Sequence, residues 1–230
     1  MDTNITLTNS NFLWLLQLVN STLPVGAYSY SEGLETLIDN GVISSDIQLQ
    51  QWLVAELRYG AIRLEAAVIV RVYAAIQNHD FAALSDWNLW LSALRETEEL
   101  RSSSLQMGRS LMQLLVKLQP DIQFIFNHIH GACNYAVAFG IALAFAEINP
   151  QAGLLGYLQS WASNLIIAGV KLIPLGQTAG QKLLFTLQPF FSRAVEEIIT
   201  LEDDDLSCCS WGLSLASMQH EVLYTRLFRS

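Results

Sequence analysis

A few groups of residues in this chain have side chains that could do chemistry, and their spacing decides how far each can go. Pro174-Leu-Gly-Gln-Thr-Ala-Gly-Gln-Lys182 has the look of a phosphate-cradling loop. Such a loop puts four residues between its glycines and then Lys and Ser/Thr directly, so that backbone N–H groups, ammonium and hydroxyl meet the phosphates and Mg²⁺. Here three residues separate Gly176 from Gly180, Gln181 intervenes before Lys182, and Leu183 follows. The failed spacing argues against nucleotide chemistry and predicts a turn feeding a helix, with Thr178 or Gly176 near the cap. His128 and His130 are two apart, which on a helix sets them ~200° apart, so they chelate together only from a non-helical segment. Cys208-Cys209 could hold a soft metal, but adjacent cysteines fit tetrahedral geometry poorly. Glu32 and Glu35 share a helix face with Asp39 one turn on. That suits acid/base or metal work, yet the pattern fits better a charged rim with Leu34, Leu37 and Ile38 facing the core.

Other constellations are missing. Gly-x-Ser-x-Gly is absent, Ser29 has no local support for a triad, and no His is preceded by Glu at the spacing of a helical di-metal site. The residues alone therefore name no catalytic group and no metal ligands, and a binding or scaffold protein fits better than an enzyme.

Composition agrees. The 230 residues are 52% hydrophobic and only 14% charged, with a net charge of −9. So apolar a chain can bury a large core and is not intrinsically disordered. Three lysines, and no basic residue before Arg58, make nucleic acid and an anionic membrane surface poor partners. Cys133, Cys208 and Cys209 form no disulfide framework. The N-terminus lacks the basic region of a secretory signal, so the cytoplasm is the expected location. Residues 122–146 and 148–170 carry no charge, but their longest run without a polar residue, Tyr135–Ala146, is 12 residues. A spanning helix needs about 20, so a buried helix pair is expected instead.

The elements that must position these residues are helical throughout. Apolar periodicity and end signals predict helices over Phe12–Asn20, Tyr28–Asn40 (stopped by Gly41), and from the Ser45/Gln48 capping box to Asn78, with Gly60 breaking or bending the last. Further helices are expected from Asp80 to Leu94, over 96–118, 128–148, 151–173, 177–187 and 189–201, and from Ser210 to the C-terminus. The result is an all-α fold, one domain over residues 1–230 with roughly ten helices. Ala132, Ala136, Gly140 and Ala144 form a stripe of small residues that another helix must fill, inside the chain or at a subunit interface.

Three segments carry a resemblance. Leu15-Leu-Gln-Leu with Leu23-Pro-Val-Gly-Ala-Tyr-Ser-Tyr-Ser-Glu-Gly-Leu-Glu35, then Lys171-Leu-Ile-Pro-Leu-Gly-Gln-Thr-Ala-Gly-Gln181, then His220-Glu-Val-Leu-Tyr-Thr-Arg-Leu-Phe-Arg-Ser230 resemble, in order and spacing, the signatures of the UreF family of urease accessory proteins. The resemblance implies an all-α homodimer that is not an enzyme and holds no cofactor tightly. Family members bridge a nickel-carrying GTPase of the UreG type and a urease-docking accessory protein of the UreD or UreH type. The assembly then delivers nickel, with lysine carbamylation, to apo-urease. Carried onto this chain, the motifs mark Tyr28, Ser29, Tyr30, Glu32, Lys171, Gln177, His220, Glu221, Arg226, Phe228 and Arg229 as partner-contacting. The alternative is an all-α adaptor of another pathway, or a helical enzyme with an unrecognised pocket.

Physical reasoning sharpens the tail. Arg226 and Arg229 would oppose the negative end of the last helix's dipole. Leu227 and Phe228 would fray unless buried, either on the protein's own body or by a partner. The tyrosines of 28–30 either cap the core or serve an interface, and Lys171 in its apolar segment either snorkels or makes a buried contact.

Overall fold

The computed structural model describes residues 7–229. Among these, eleven α-helices and three 3₁₀ turns form one body. The helices are α1 (Asn9–Leu18), α2 (Leu34–Asp39), α3 (Asp46–Tyr59), α4 (Ala61–Gln77), α5 (Phe81–Leu94), α6 (Glu98–Leu118), α7 (Gln123–Phe126), α8 (Tyr135–Phe145), α9 (Pro150–Leu172), α10 (Gln177–Ile199) and α11 (Trp211–His220). Among the described residues no helix is long and apolar enough to cross a membrane.

The innermost element is α8. Residues 136–144 are buried on every side, as an all-round apolar helix must be. It lies against α4 and α6, with α5 covering α4. The α9–α10 pair packs beside α4, with α3 on α10, and α2 and α11 close the end of the body next to α9. Ala136, Gly140 and Ala144 of the small-residue stripe are spent inside the chain, because a Cβ on Gly140 would lie 2.9 Å from Val72 Cγ1 and 3.2 Å from the Ile69 carbonyl. The stripe is therefore no subunit interface. Ala132 lies off the helix, and its carbonyl accepts from Asn88 Nδ2 at 3.0 Å.

End signals place most helices. Ser45 and Gln48 form the capping box, with the Gln48 side chain reaching the Ser44 N–H at 2.9 Å. Asp80 caps α5, and Asn149 caps α9 with Pro150 at its first position. Gly41, at φ 71°, ends α2 while the Val42 N–H returns to the Leu37 carbonyl.

Four expectations change, and a fifth, left between a break and a bend at Gly60, is decided. Residues 28–40 are not one helix: Gly26, Glu32 and Gly33 have φ of 81°, 51° and 78°, which no right-handed helix can pass through, so a 3₁₀ turn Ala27–Ser29 and a loop precede the short α2. Gly60 breaks the long helix into α3 and α4, its extended backbone packed so tightly on Glu56 that a side chain would have no room. The helix expected from 128 begins at Tyr135, because Gly131 turns left-handed and the buried Asn134 is held by Asn88 and Ser92. By contrast α10 runs unbroken through Pro189. That proline is exposed, while Leu183, Leu187, Phe191 and Val195 bind both halves to the core. Finally α11 stops at His220, and residues 221–229 have no helix.

Candidate partner-binding site

The three motif segments, distant in sequence, meet at one end of the body. Glu35 at the start of α2 is their meeting point. Its Oε1 accepts from the Leu227 N–H at 2.7 Å and its Oε2 from the Phe228 N–H at 3.1 Å. The same Oε2 lies 3.1 Å from His220 Nε2. His220 is fully buried at the end of α11, and its Nδ1 lies 2.8 Å from Glu99 Oε2 on α6. A carboxylate oxygen thus faces each ring nitrogen, so both are placed to donate. Glu99 also takes Arg226 at 2.9 Å, and the Arg229 N–H donates to the Ser29 carbonyl at 2.8 Å. From the middle motif, Lys171 Nζ sits 5.5 Å above the Phe228 ring.

These contacts correct several expectations. Glu35 is no rim residue, since it is buried and clamps the tail. Arg226 and Arg229 lie beyond the end of α11, so neither answers a helix dipole. Phe228 is only 7% exposed and belongs to this chain's own core, so the tail is tied down without a partner. Leu227 beside it points outward. Tyr28 and Glu221 are exposed. Ser29, Tyr30, Glu221 and Arg229 line the shallow grooves beside the tail. Gln177 is exposed at the first turn of α10, and no hydrogen bond among the described residues joins it to the tail. Ser230 lies outside the described residues.

Glu32 departs furthest from its expected place. It turns inward, accepting from Trp161 Nε1 at 3.0 Å, beside a buried set in which Glu65 takes the Tyr157 hydroxyl at 2.5 Å and Arg95 at 2.7 Å. Burial, then the charge of Glu65, pushes the Glu32 carboxyl up to about 7. Glu56, bonded to Ser210 at 3.3 Å, is likewise pushed up to about 7 by burial and by Glu32.

The other chemical candidates do not assemble. His128 stacks on Phe81 with ring centroids 4.2 Å apart, and its Nδ1 lies 2.9 Å from the Phe124 carbonyl. Burial pushes the Cys208 thiol up, away from the thiolate that a metal needs. Among the described residues no group of three or more His, Cys, Asp or Glu could hold a metal ion.

The sequence reading missed a surface. Trp211, Leu215, Met218 and Val222 follow one another at intervals of four, three and four, the rhythm of one helix face. All four are exposed, Trp211 by 75% and Val222 by 84%, and Tyr224 and Leu227 extend the apolar exposure into the tail. The spacing was legible, but it looks the same whether a face meets the core or solvent. On α11 the core takes Leu213, Ala216, Ser217 and His220 instead.

Known proteins match along the whole chain. A family model described as UreF matches residues 43–188. The chain is 69% identical over 230 residues to the urease accessory protein UreF of a Nostoc species, with both chains fully covered. It is 51% identical over 222 residues to that of a Picosynechococcus species, covering 95% of this chain and 99% of the other. With the urease accessory protein UreF of Chromohalobacter salexigens it shares 38% identity over 216 residues, covering 94% and 93%.

Proposed function

The chain belongs to the UreF family of urease accessory proteins, with a role in urease maturation, and from there we propose that it acts as a non-catalytic bridge. One side takes a nickel-carrying GTPase of the UreG type, the other the urease-docking accessory protein of the UreD or UreH type. Nickel is the cargo of the assembly and reaches apo-urease through it. The bridge works as a homodimer in the cytoplasm.

The observation that carries the reading is the exposed apolar face of α11 beside the clamped tail. Trp211, Leu215 and Met218 of α11, continued by Val222 just past its end, offer one groove-fitting stripe, the pattern by which an amphipathic helix docks. Aromatic and Arg anchors dominate such interfaces, and Trp211, Tyr224 and Arg226 are of that kind. We assign this face to the urease-docking accessory protein. The second copy needs a different surface, and Ile167 on α9 and Phe185 on α10 also expose apolar side chains.

A double variant, Trp211→Ser with Met218→Ser, tests the assignment. Both side chains are exposed, so its melting curve should match the parent's while capture of the docking protein in a pull-down is lost. A variant with unchanged melting that still captures its partner at full strength would refute the face. Deleting the gene tests the role itself: urease protein should still be made but be inactive.

A further inference from the structure

Behind the motif convergence lies a small cavity of about 40 Å³, room for a few water-sized groups. Tyr30, Met107, Ser160 and Asn164 form a half-exposed rim, while Glu65, Tyr157 and Trp161 are buried in the wall. Two carboxylates reach it, and their situations differ. Glu65 is matched: Arg95 lies at 2.7 Å and the Tyr157 hydroxyl at 2.5 Å. Glu32 has no ion pair among the described residues, and the Trp161 N–H donates to it. A half-buried carboxylate with no cation in contact is costly, and the charge of Arg95, which is bonded to Glu65, offsets less than burial and the Glu65 charge take away. The rise of its pKa to about 7 expresses that cost.

The backbone at Glu32 points the same way. Its φ of 51° is uncommon for a residue with a Cβ, and the side chain is thereby turned inward rather than to solvent. The rings of Tyr30, Tyr135, Tyr157 and Trp161 line the same cavity, and Trp161 bonds the carboxylate. Aromatic faces beside an unmatched carboxylate attract a cation, and a flat one best, because a guanidinium can stack on rings while its N–H fork bonds the carboxylate. A divalent metal fits less well. Glu65 is committed to Arg95 and Tyr157, and among the described residues no third ligand of metal-binding type joins the two carboxylates.

We propose that this cavity is a receptor for a guanidinium group, the tip of an arginine side chain offered by another protein, with Glu32 as its counter-charge. The rim opens beside the tail grooves, which Tyr30 also lines, so the arginine would arrive alongside whatever docks there. The α11 face can fail its own test without affecting this one.

Calorimetric titration of the full chain with methylguanidinium, at ionic strength held constant with NaCl, reads the site directly. A probe of this size reaches only modest affinity, on the order of 1–10 mM. Saturable binding is expected, roughly tenfold weaker in Glu32→Gln and retained in a control at an exposed carboxylate of α10, Glu196→Gln. Methylammonium, which cannot stack or fork, should bind more weakly than methylguanidinium. Three results would each overturn the proposal: no saturable binding to the folded chain, equal affinity in Glu32→Gln, or methylammonium or Ni²⁺ binding more tightly than methylguanidinium at Glu32. Melting curves of Glu32→Gln show that it is folded, and Glu32→Asp, which keeps the charge, should retain part of the affinity.

Discussion

Glu35 receives donors from residues 220, 227 and 228, so one carboxylate joins α2 to α11 and to the tail. Gln at this position has one acceptor oxygen and would turn an N–H₂ toward a donor, leaving buried groups unmatched. Glu35→Gln should therefore lose about 3 kcal/mol in urea unfolding, with the exposed Glu221→Gln near zero. Glu56 makes a pH-dependent prediction. Its folded carboxyl is pushed up to about 7 from an ordinary 4.5, so between those values the native state holds a proton that the unfolded chain has released. Stability then falls as pH rises through that window and levels off above it. Glu56→Gln should unfold like the parent near pH 4.5 and be more stable by about 1–3 kcal/mol at pH 8, read from urea midpoints at the two pH values. Neither role was legible from residue type. The i, i+3 pattern of Glu32 and Glu35 is that of a solvent-facing rim. What inverts it is the pair of left-handed residues Glu32 and Gly33, and no periodicity shows these.

Helix boundaries divide by the kind of signal that sets them. Ser45, Asp80, Pro120 and Asn149 act on their nearest neighbours, so the ends they fix were readable. The start of α8 and the continuity of α10 depend on contacts made at a distance. Asn134 is held by Asn88, 46 residues earlier, and Pro189 is tolerated because the core grips α10 on both sides of it. Close helix packing gives a test at this scale. A Cβ on Gly140 meets Val72 Cγ1 at 2.9 Å, a side chain that can move a little. A Cβ on Gly108 of α6 meets backbone instead, the Cys133 carbonyl and the Asn134 carbonyl carbon, the latter at 2.7 Å. Gly140→Ala should cost about 1–3 kcal/mol, and Gly108→Ala more than that, by denaturant unfolding of both variants. Equal effects would show that the α6 contact yields as readily as the α4 one.

At the scale of the whole molecule, the all-α class and its central apolar helix could be seen in composition and hydropathy. The joining of the three motifs could not, because no local pattern brings residue 35 to residue 228. Family resemblance singled out the tail, and the structure supplies what holds it there. Phe228→Ala should lower stability by about 2–4 kcal/mol, which for a chain of this size is roughly a 5–12 °C fall in Tm. Leu227→Ala, at an exposed position, should leave the melt within about 1 °C of the parent. Deletion from Arg226 onward should then destabilise the body, contrary to the expectation for a frayed end.

The clamp on Glu35 also sets a clock for biosynthesis. The contact to Leu227 closes a separation of 192 residues, and ribosomes add about 5–20 residues each second. Glu35 is therefore incorporated roughly 10–40 s before the amides it serves exist. A carboxylate is too costly to bury unmatched, so α2 must stay hydrated and undocked through that interval. The centre of the protein, α4 to α8, can condense while its first helices wait. The last few residues to be translated are then the ones that seal the opening of the chain into its finished shape.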